Sequence, residues 1–420
     1  MSEFWPAYDE IQIQKFLDQT TGEPQPLKPV NSTAALAAKA KINKFLVMVS
    51  SFEHAQYPCA EAYVAFEKER LNTLTMVIHA TDLSVTTLLN DQLFGALGDM
   101  QQPQALGYLK KHLEALEPQS RAVAGARTML LRLWEETASS EVITQQFKLI
   151  DTYRLKLRPL LDRKFGFVSE LVTAHPAPAL LSSVAVRDLL IQAIPQILPA
   201  VGSRWTAIVQ VGAPNVFIDY ERRAVVIPAD RSYKKDHIVT LIVHEIGVHV
   251  LRSVNGENSK ERLAAYGLSG YGPAEEAFGV LLGNASRQTY PQINSLIPFA
   301  VIDFATRAAP STFRKVHELT AALLICLDNP NEEHYVANSQ QYQRTAFSRV
   351  NRSLRLGTTE LVERSTTKYW RGLLLLCRYF DSRGLTESTV DEFFIGKYDC
   401  LVPDQARLIR EHTYVPHSAH

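Results

Sequence analysis

The stretch from Leu241 to Arg252 reads LIVHEIGVHVLR, and the interval between its two histidines decides how the chain around it is read. His244 and Glu245 are followed by Ile246, Gly247, Val248 and His249, so the imidazoles stand five positions apart. In a regular α-helix a four-residue step turns about 40° round the axis and a five-residue step about 140°, which sends the two rings to different faces. A single π-turn removes most of that mismatch by bringing positions five apart into line, and such bulges recur at functional sites. Gly247 stands between the histidines, where its conformational freedom would serve the distortion. The pattern predicts a helix capped by Asp236, with Ile238, Leu241, Ile242 and Val248 as apolar positions and Asn255-Gly256 as its stop.

If the rings converge, the surrounding residue types are those of a metal centre. A catalytic zinc takes three protein ligands and keeps a fourth position open, commonly two histidines and a carboxylate, with a separate glutamate as general base. His244 and His249 supply the imidazoles and Glu245 the base, and Glu275 or Glu276 at the start of the next helix supplies the carboxylate. A histidine in an apolar helix is more often a core residue bonded to a carbonyl. Here the preceding strands, the apolar run Leu241-Ile242-Val243 and the Glu-Glu pair after the Gly-rich loop GLSGYGPAEE favour the metal.

Outward from the motif, RWTAIVQVG and NVFIDYERRAVVIPAD alternate apolar and polar residues and predict a small, mainly antiparallel sheet before the helix. Further upstream, segments such as CAEAYVAFEKERLNTLTMVIHATD and EVITQQFKLIDTYRLKLRPLLDRKF carry apolar residues at three- and four-residue spacing, the pattern of amphipathic helices. Pro176, Pro178, Pro195 and Pro199 mark a boundary, and TGEPQPLKPVNST breaks regular structure near the N-terminus. The expected organisation is an N-terminal arm over 1–34, a helical region over 35–200, a catalytic region over 201–405 and a tail over 406–420. The fold class is α+β, mostly helical.

In a chain of 420 residues, 44 Lys and Arg balance 44 Asp and Glu, so there is no overall basic field to gather nucleic acid or an anionic membrane, and neither is expected as a partner. No apolar run of about 18 residues suggests a membrane span, and MSEFWPAYDE is too acidic for a secretory n-region, so a cytoplasmic protein is expected. Cys59, Cys326, Cys377 and Cys400 are scattered without a C-x-x-C pair and are expected as reduced, mostly buried thiols.

These residues resemble a known family, the zinc carboxypeptidases that remove C-terminal tyrosine from α-tubulin and their bacterial relatives known as flavohemoglobin expression-modulating QEGLA-motif proteins. HEIGVH matches the family's H-E-x-x-x-H, and Arg252, Asn255 and Gly256 match the Arg and Asn-Gly that follow it. The Q/E-E-G-L-A motif falls on Glu275 to Gly279, keeping both acidic positions and departing at Ala277, Phe278 and Gly279. The resemblance implies a zincin-like catalytic domain holding Zn2+ on His244, His249 and Glu276, with Glu245 as base. It also implies a peptide or protein C-terminus as substrate. KYWRG resembles the family's R-V-F-R-G, which makes Arg371 the candidate for the substrate carboxylate, since a guanidinium matches it with two charge-assisted bonds. Tyr369 becomes a candidate donor, with Tyr271 and Tyr266 as pocket walls. EFFIGKYD resembles a later family segment. Arg252 is expected in a structural role at its helix's end.

Overall fold

The computed structural model describes residues 10–19, 113–135, 141–176, 180–198, 204–213, 215–259, 262–268, 270–286, 312–355, 362–363 and 366–400, with isolated positions at 40, 43–44, 47, 60–65, 67–68, 402 and 405. Along the chain come α1 (Glu10–Asp18), α2 (Arg121–Glu135), α3 (Glu141–Ala174), β1 (Leu180–Ser182), α4 (Ser183–Ile197), β2 (Thr206–Gln210), β3 (Phe217–Asp219), β4 (Ala224–Pro228) and β5 (Ser232–Lys234). There follow α5 (Lys235–His244), a π-turn (Glu245–Val250), α6 (Leu251–Asn258), a 3-10 turn (Arg262–Ala265), α7 (Tyr271–Ala285), α8 (Phe313–Asp328), α9 (Glu332–Ser353), β6 (Leu354–Arg355), β7 (Val362–Glu363), α10 (Thr366–Arg383) and α11 (Glu387–Phe393). The described residues are mostly helical with a small sheet, as the fold class required.

Two compact units emerge, each assembled from separate stretches: Met1–Ser51, Lys68–Lys148 and Gln292–Arg371 form one, and Phe52–Glu67, Leu149–Pro291 and Gly372–His420 form the other. The boundary expected at residue 200 is therefore not where the units part. Most of α3 shares a core with the motif helix, for its Phe165 lies on Gly247 and meets Phe394 with ring centroids 6.2 Å apart.

In the first unit the expected N-terminal arm contains a packed helix. Phe16 of α1 is 2% exposed, edge-on to Phe313 at 5.5 Å and to His317 at 5.2 Å, and the Arg314 guanidinium covers its ring at 4.1 Å. One buried aromatic and one charge over it hold a nine-residue helix that is too short to persist alone. The proline-rich stretch after α1 and the tail over 406–420 lie outside the described residues.

The second unit holds a three-stranded sheet in the order β2-β4-β3. The β3–β4 hairpin is antiparallel as expected, with Phe217 opposite Val226, but β2 runs parallel to β4, with Thr206 opposite Ala224, so this sheet is mixed. The central strand AVVIP is buried at every position, the apolar run that a strand covered on both faces needs. β1 and β5 pair antiparallel beside it and lead directly into α5.

From Lys235 to Asn258 the chain is helical throughout, and this segment, unlike the sequence expectation, is long and apolar enough to span a membrane. Its apolar window is 72% buried within the protein, and apolar residues around its whole circumference suit a core helix. Lys234 takes the capping position without a side-chain bond, leaving Asp236 in the first turn, where its charge favours the helix dipole. Gly256 does not stop the helix. It lies inside α6, where a Cβ would collide with the backbone of Ala264 and Ala265. Cys326, Cys377 and Cys400 are free and buried, and Cys59 falls outside the described residues.

Candidate metal centre

The five-residue interval is accommodated by the predicted distortion. Residues Glu245 to Val250 form one π-turn, in which the Leu251 amide donates to the Ile246 carbonyl five residues back. The His244 and His249 rings come to lie 4.9 Å apart between centroids, inclined at 67°. Gly247 serves this turn through space and not through an unusual backbone, since it is absent from the positive-φ glycines among the described residues. A Cβ there would approach the Phe165 ring at 3.1 Å.

α7 crosses the motif helix closely enough to bring its first turn to the same place. Gly279 and Gly283, one turn apart, face His244 and Thr240, also one turn apart; an added Cβ would meet the His244 ring at 2.7 Å and Thr240 Cγ2 at 2.7 Å. This contact accounts for one of the three departures from the Q/E-E-G-L-A pattern. Ala277 and Phe278 face the core, with the Phe278 ring centroid 4.3 Å from that of Phe393, while Gly279 makes room for the imidazole. Sequence reading missed Gly279, although a glycine three positions after a proposed ligand is on the ligand's own helical face.

Glu276 Oε2 lies 3.7 Å from His244 Nε2 and 3.8 Å from His249 Nε2. Both separations are too long for a hydrogen bond and slightly wider than the roughly 3.3 Å between ligand atoms sharing a tetrahedral zinc. One ligand atom from each of the three residues lies within 4.8 Å of the others, so His244, His249 and Glu276 form a group able to hold a metal ion.

Glu275 has the opposite task. Its Oε1 is 2.7 Å from His249 Nδ1, its Oε2 accepts from Arg252 Nη1 at 2.8 Å, and Lys397 Nζ is 3.5 Å from Oε1. Burial alone would raise its pKa, but Lys397, Arg252 and His249 together outweigh burial and hold the carboxyl down at about 2. An ionised carboxylate only accepts, so His249 donates through Nδ1–H and presents the Nε2 lone pair towards Glu276 and His244.

Arg252 is fully buried. Besides Glu275 it donates to the carbonyls of Gly396 at 2.8 Å and Tyr398 at 3.3 Å, and its guanidinium lies 4.6 Å over Phe393. The expected structural role holds, but the carbonyls it serves belong to the segment after α11 and not to its own helix. Ser253 and Asn255 work alongside it, donating to the carbonyls of Ala265 and Phe394. Lys397 was not singled out by the sequence reading, although EFFIGKYD places it between apolar neighbours. It is 1% exposed, and burial lowers its pKa against the opposing effect of Glu275.

Glu245 keeps some accessible surface, but its carboxyl is enclosed by protein. Desolvation raises its pKa to about 7, with His244 opposing and the charges of Glu276 and Glu275 adding to the rise. Tyr271 begins α7, its ring against Gly267 and 5.7 Å from Lys397 Nζ. Tyr266 is 62% exposed. Tyr369 and Arg371 belong to α10, and their side chains lie outside the described residues.

Comparison of this chain with family models, with curated proteins and with solved structures finds no match.

Proposed function

We propose that this chain is a zinc-dependent metallopeptidase of zincin-like architecture, acting as a carboxypeptidase on a peptide or protein C-terminus. The observation that carries the reading is the π-turn, which aligns His244 and His249 five residues apart and sets both beside Glu276. The resemblance of HEIGVH, with Arg252, Asn255 and Gly256, to the tubulin-tyrosine carboxypeptidase-like family supports the same conclusion.

Two neutral imidazoles and one carboxylate suit zinc and leave the site a net charge of about +1. Held by His244, His249 and Glu276, a zinc ion would supply Lewis acidity for a scissile carbonyl and for a water whose pKa it would lower towards neutrality. Glu245, next to His244 and close enough to feel the charges of His244, Glu276 and Glu275, would accept the proton from the attacking water and return it to the leaving amine. A structural site would have no use for such a base. β3 is an edge of its sheet and lies against the π-turn, so an extended substrate can add to it as a further strand. On the likeness of KYWRG alone, Arg371 is proposed to take the terminal carboxylate. Removal of an aromatic residue such as tyrosine is likewise proposed on resemblance.

Incubation with a peptide library of varied C-termini, read by mass spectrometry, tests the proposal. Loss of one terminal residue is expected from the zinc-loaded chain, and none from Glu245→Gln, which keeps the metal. Internal cleavage would replace the carboxypeptidase reading with an endopeptidase. A wild-type chain that takes up no zinc from a non-chelating buffer would end the enzymatic one.

A further inference from the structure

We propose that Tyr220 is a catalytic residue of this centre, donating a hydrogen bond from its hydroxyl to the substrate carbonyl oxygen as negative charge grows there, and that Lys397 is its positioning residue. The inference rests on the hydrolase reading given above.

Tyr220 opens the turn between β3 and β4, and that turn is fixed at several points. Asp219 accepts from the Arg222 amide at 3.0 Å and from Arg222 Nε at 2.6 Å. Arg223 adopts a left-handed φ of 51° and grips Glu257 of α6 through Nη1 and Nη2, at 3.0 and 3.1 Å. The hairpin tip is thereby tied to the helix that carries the histidines. The Tyr220 ring stands edge-on to buried Trp205 at 5.9 Å, yet the residue as a whole keeps 45% of its surface.

The hydroxyl end faces inward. Lys397 Nζ donates to the Tyr220 oxygen and lies 4.1 Å from its ring centroid. The same ammonium is 3.5 Å from Glu275 Oε1, which is 2.7 Å from His249 Nδ1, so one unbroken polar chain runs from the hairpin tip to a proposed ligand. Because the ammonium donates, the phenol's own proton cannot point back at Lys397 and is directed elsewhere. Lys397 cannot take the substrate role itself, for it is 1% exposed and committed to Glu275 and Tyr220. Burial, followed by the charges of Glu275, Tyr271, Glu245 and Glu276, raises the Tyr220 pKa well above an ordinary phenol's, so the donor keeps its proton at neutral pH. A neutral O–H polarised by an adjacent ammonium, at the end of a strand that packs against the π-turn, is suited to stabilising an oxyanion.

Tyr220→Phe keeps the ring and removes only the hydroxyl. In the zinc-loaded protein, kcat should fall roughly 10²- to 10³-fold with KM little changed, as for loss of one oxyanion donor. Affinity for a tetrahedral phosphonate analogue of a cleaved peptide, measured by calorimetry, should fall by a similar factor while zinc content stays at the wild-type level. Unchanged kcat and phosphonate affinity in Tyr220→Phe, with an active wild type, would overturn this inference alone. A Tyr220→Phe chain that loses its zinc or its folding transition would give Tyr220 a structural role and overturn it too. A wild type that cleaves no peptide would overturn the hydrolase reading, and this inference with it.

Discussion

The two sides of the His249 imidazole differ in kind. Behind it, Glu275, Arg252 and Lys397 satisfy one another at 2.8 to 3.5 Å, with exposures of 4%, 0% and 1%, and the carbonyls of Gly396 and Tyr398 accept from Arg252 Nε and Nη2. In front of it, His244, His249 and Glu276 bring three ligand atoms within 4.8 Å, at distances where they do not bond one another. A saturated cluster fixes geometry and has no capacity left for a ligand. Three ligand atoms drawn together without bonding one another form a group that could hold a cation. Glu275 and Glu276 are neighbours in sequence and fall on opposite sides of this divide because successive helical residues point about 100° apart.

The largest effect should come from the front. His249→Ala removes one of the three proposed ligands and should abolish zinc retention, measured by metal analysis after dialysis. Zinc retained at full stoichiometry would place the metal elsewhere. Behind the ring, Arg252→Ala should leave the Glu275 carboxylate and Lys397 ammonium buried and poorly matched. That should cost about 3–5 kcal/mol of stability, read by urea unfolding of the zinc-free protein. A loss under about 1 kcal/mol would show that the rear cluster is not the rigid support described.

Glu275→Gln discriminates most directly between the two carboxylates. On the proposed function Glu275 only orients His249, so its amide should weaken zinc binding by about 10- to 100-fold in a chelator-competition titration, whereas Glu276→Gln replaces a proposed ligand and should cost more. The reverse order would exchange their roles.

Parts of this arrangement were legible in the sequence, and others were hidden for identifiable reasons. The five-residue interval demanded a π-turn because helix geometry leaves few other ways for His244 and His249 to meet, and the turn formed at the residues named. Residue types alone could not choose between Glu275 and Glu276, since either could begin α7; resemblance was needed to favour Glu276. Tyr220 and Lys397 are brought to Glu275 only by tertiary folding, and nothing in the local pattern of DYERR announces that. The parallel pairing of β2 with β4 was hidden for a related reason: alternation shows which residues form a strand and not the direction of its neighbour. α1 was read as an arm because its worth lies in Phe16 meeting Phe313 and Phe347, far along the chain.

His317 sharpens the contrast from a distance, because it is a buried histidine without the ligand environment. It is 3% exposed in α8, its Nε2 is 3.0 Å from the Gln343 carbonyl, and its Nδ1 has no hydrogen-bond partner. A lone carbonyl fixes one tautomer, as Glu275 does for His249, but no second imidazole or carboxylate meets its free nitrogen in a metal-binding group among the described residues. Desolvation lowers its pKa from 6.5, with the carbonyl bond opposing and nearby Arg314 adding to the fall. The neutral ring is thus favoured in the folded chain, and as pH falls below about 6.5 the unfolded chain takes up a proton that the folded chain resists. The stabilising preference is present above that pH and is lost on acidification. Urea unfolding of the zinc-free protein should show His317→Gln with a shallower loss of stability than wild type as pH falls below 6.5, and zinc content unchanged. Equal pH slopes would mean that the His317 ring protonates as readily in the folded chain as in the unfolded one. Lost zinc would mean that a buried imidazole turned by a carbonyl alone can serve the metal, and the carboxylate behind His249 would no longer distinguish a ligand from a core residue.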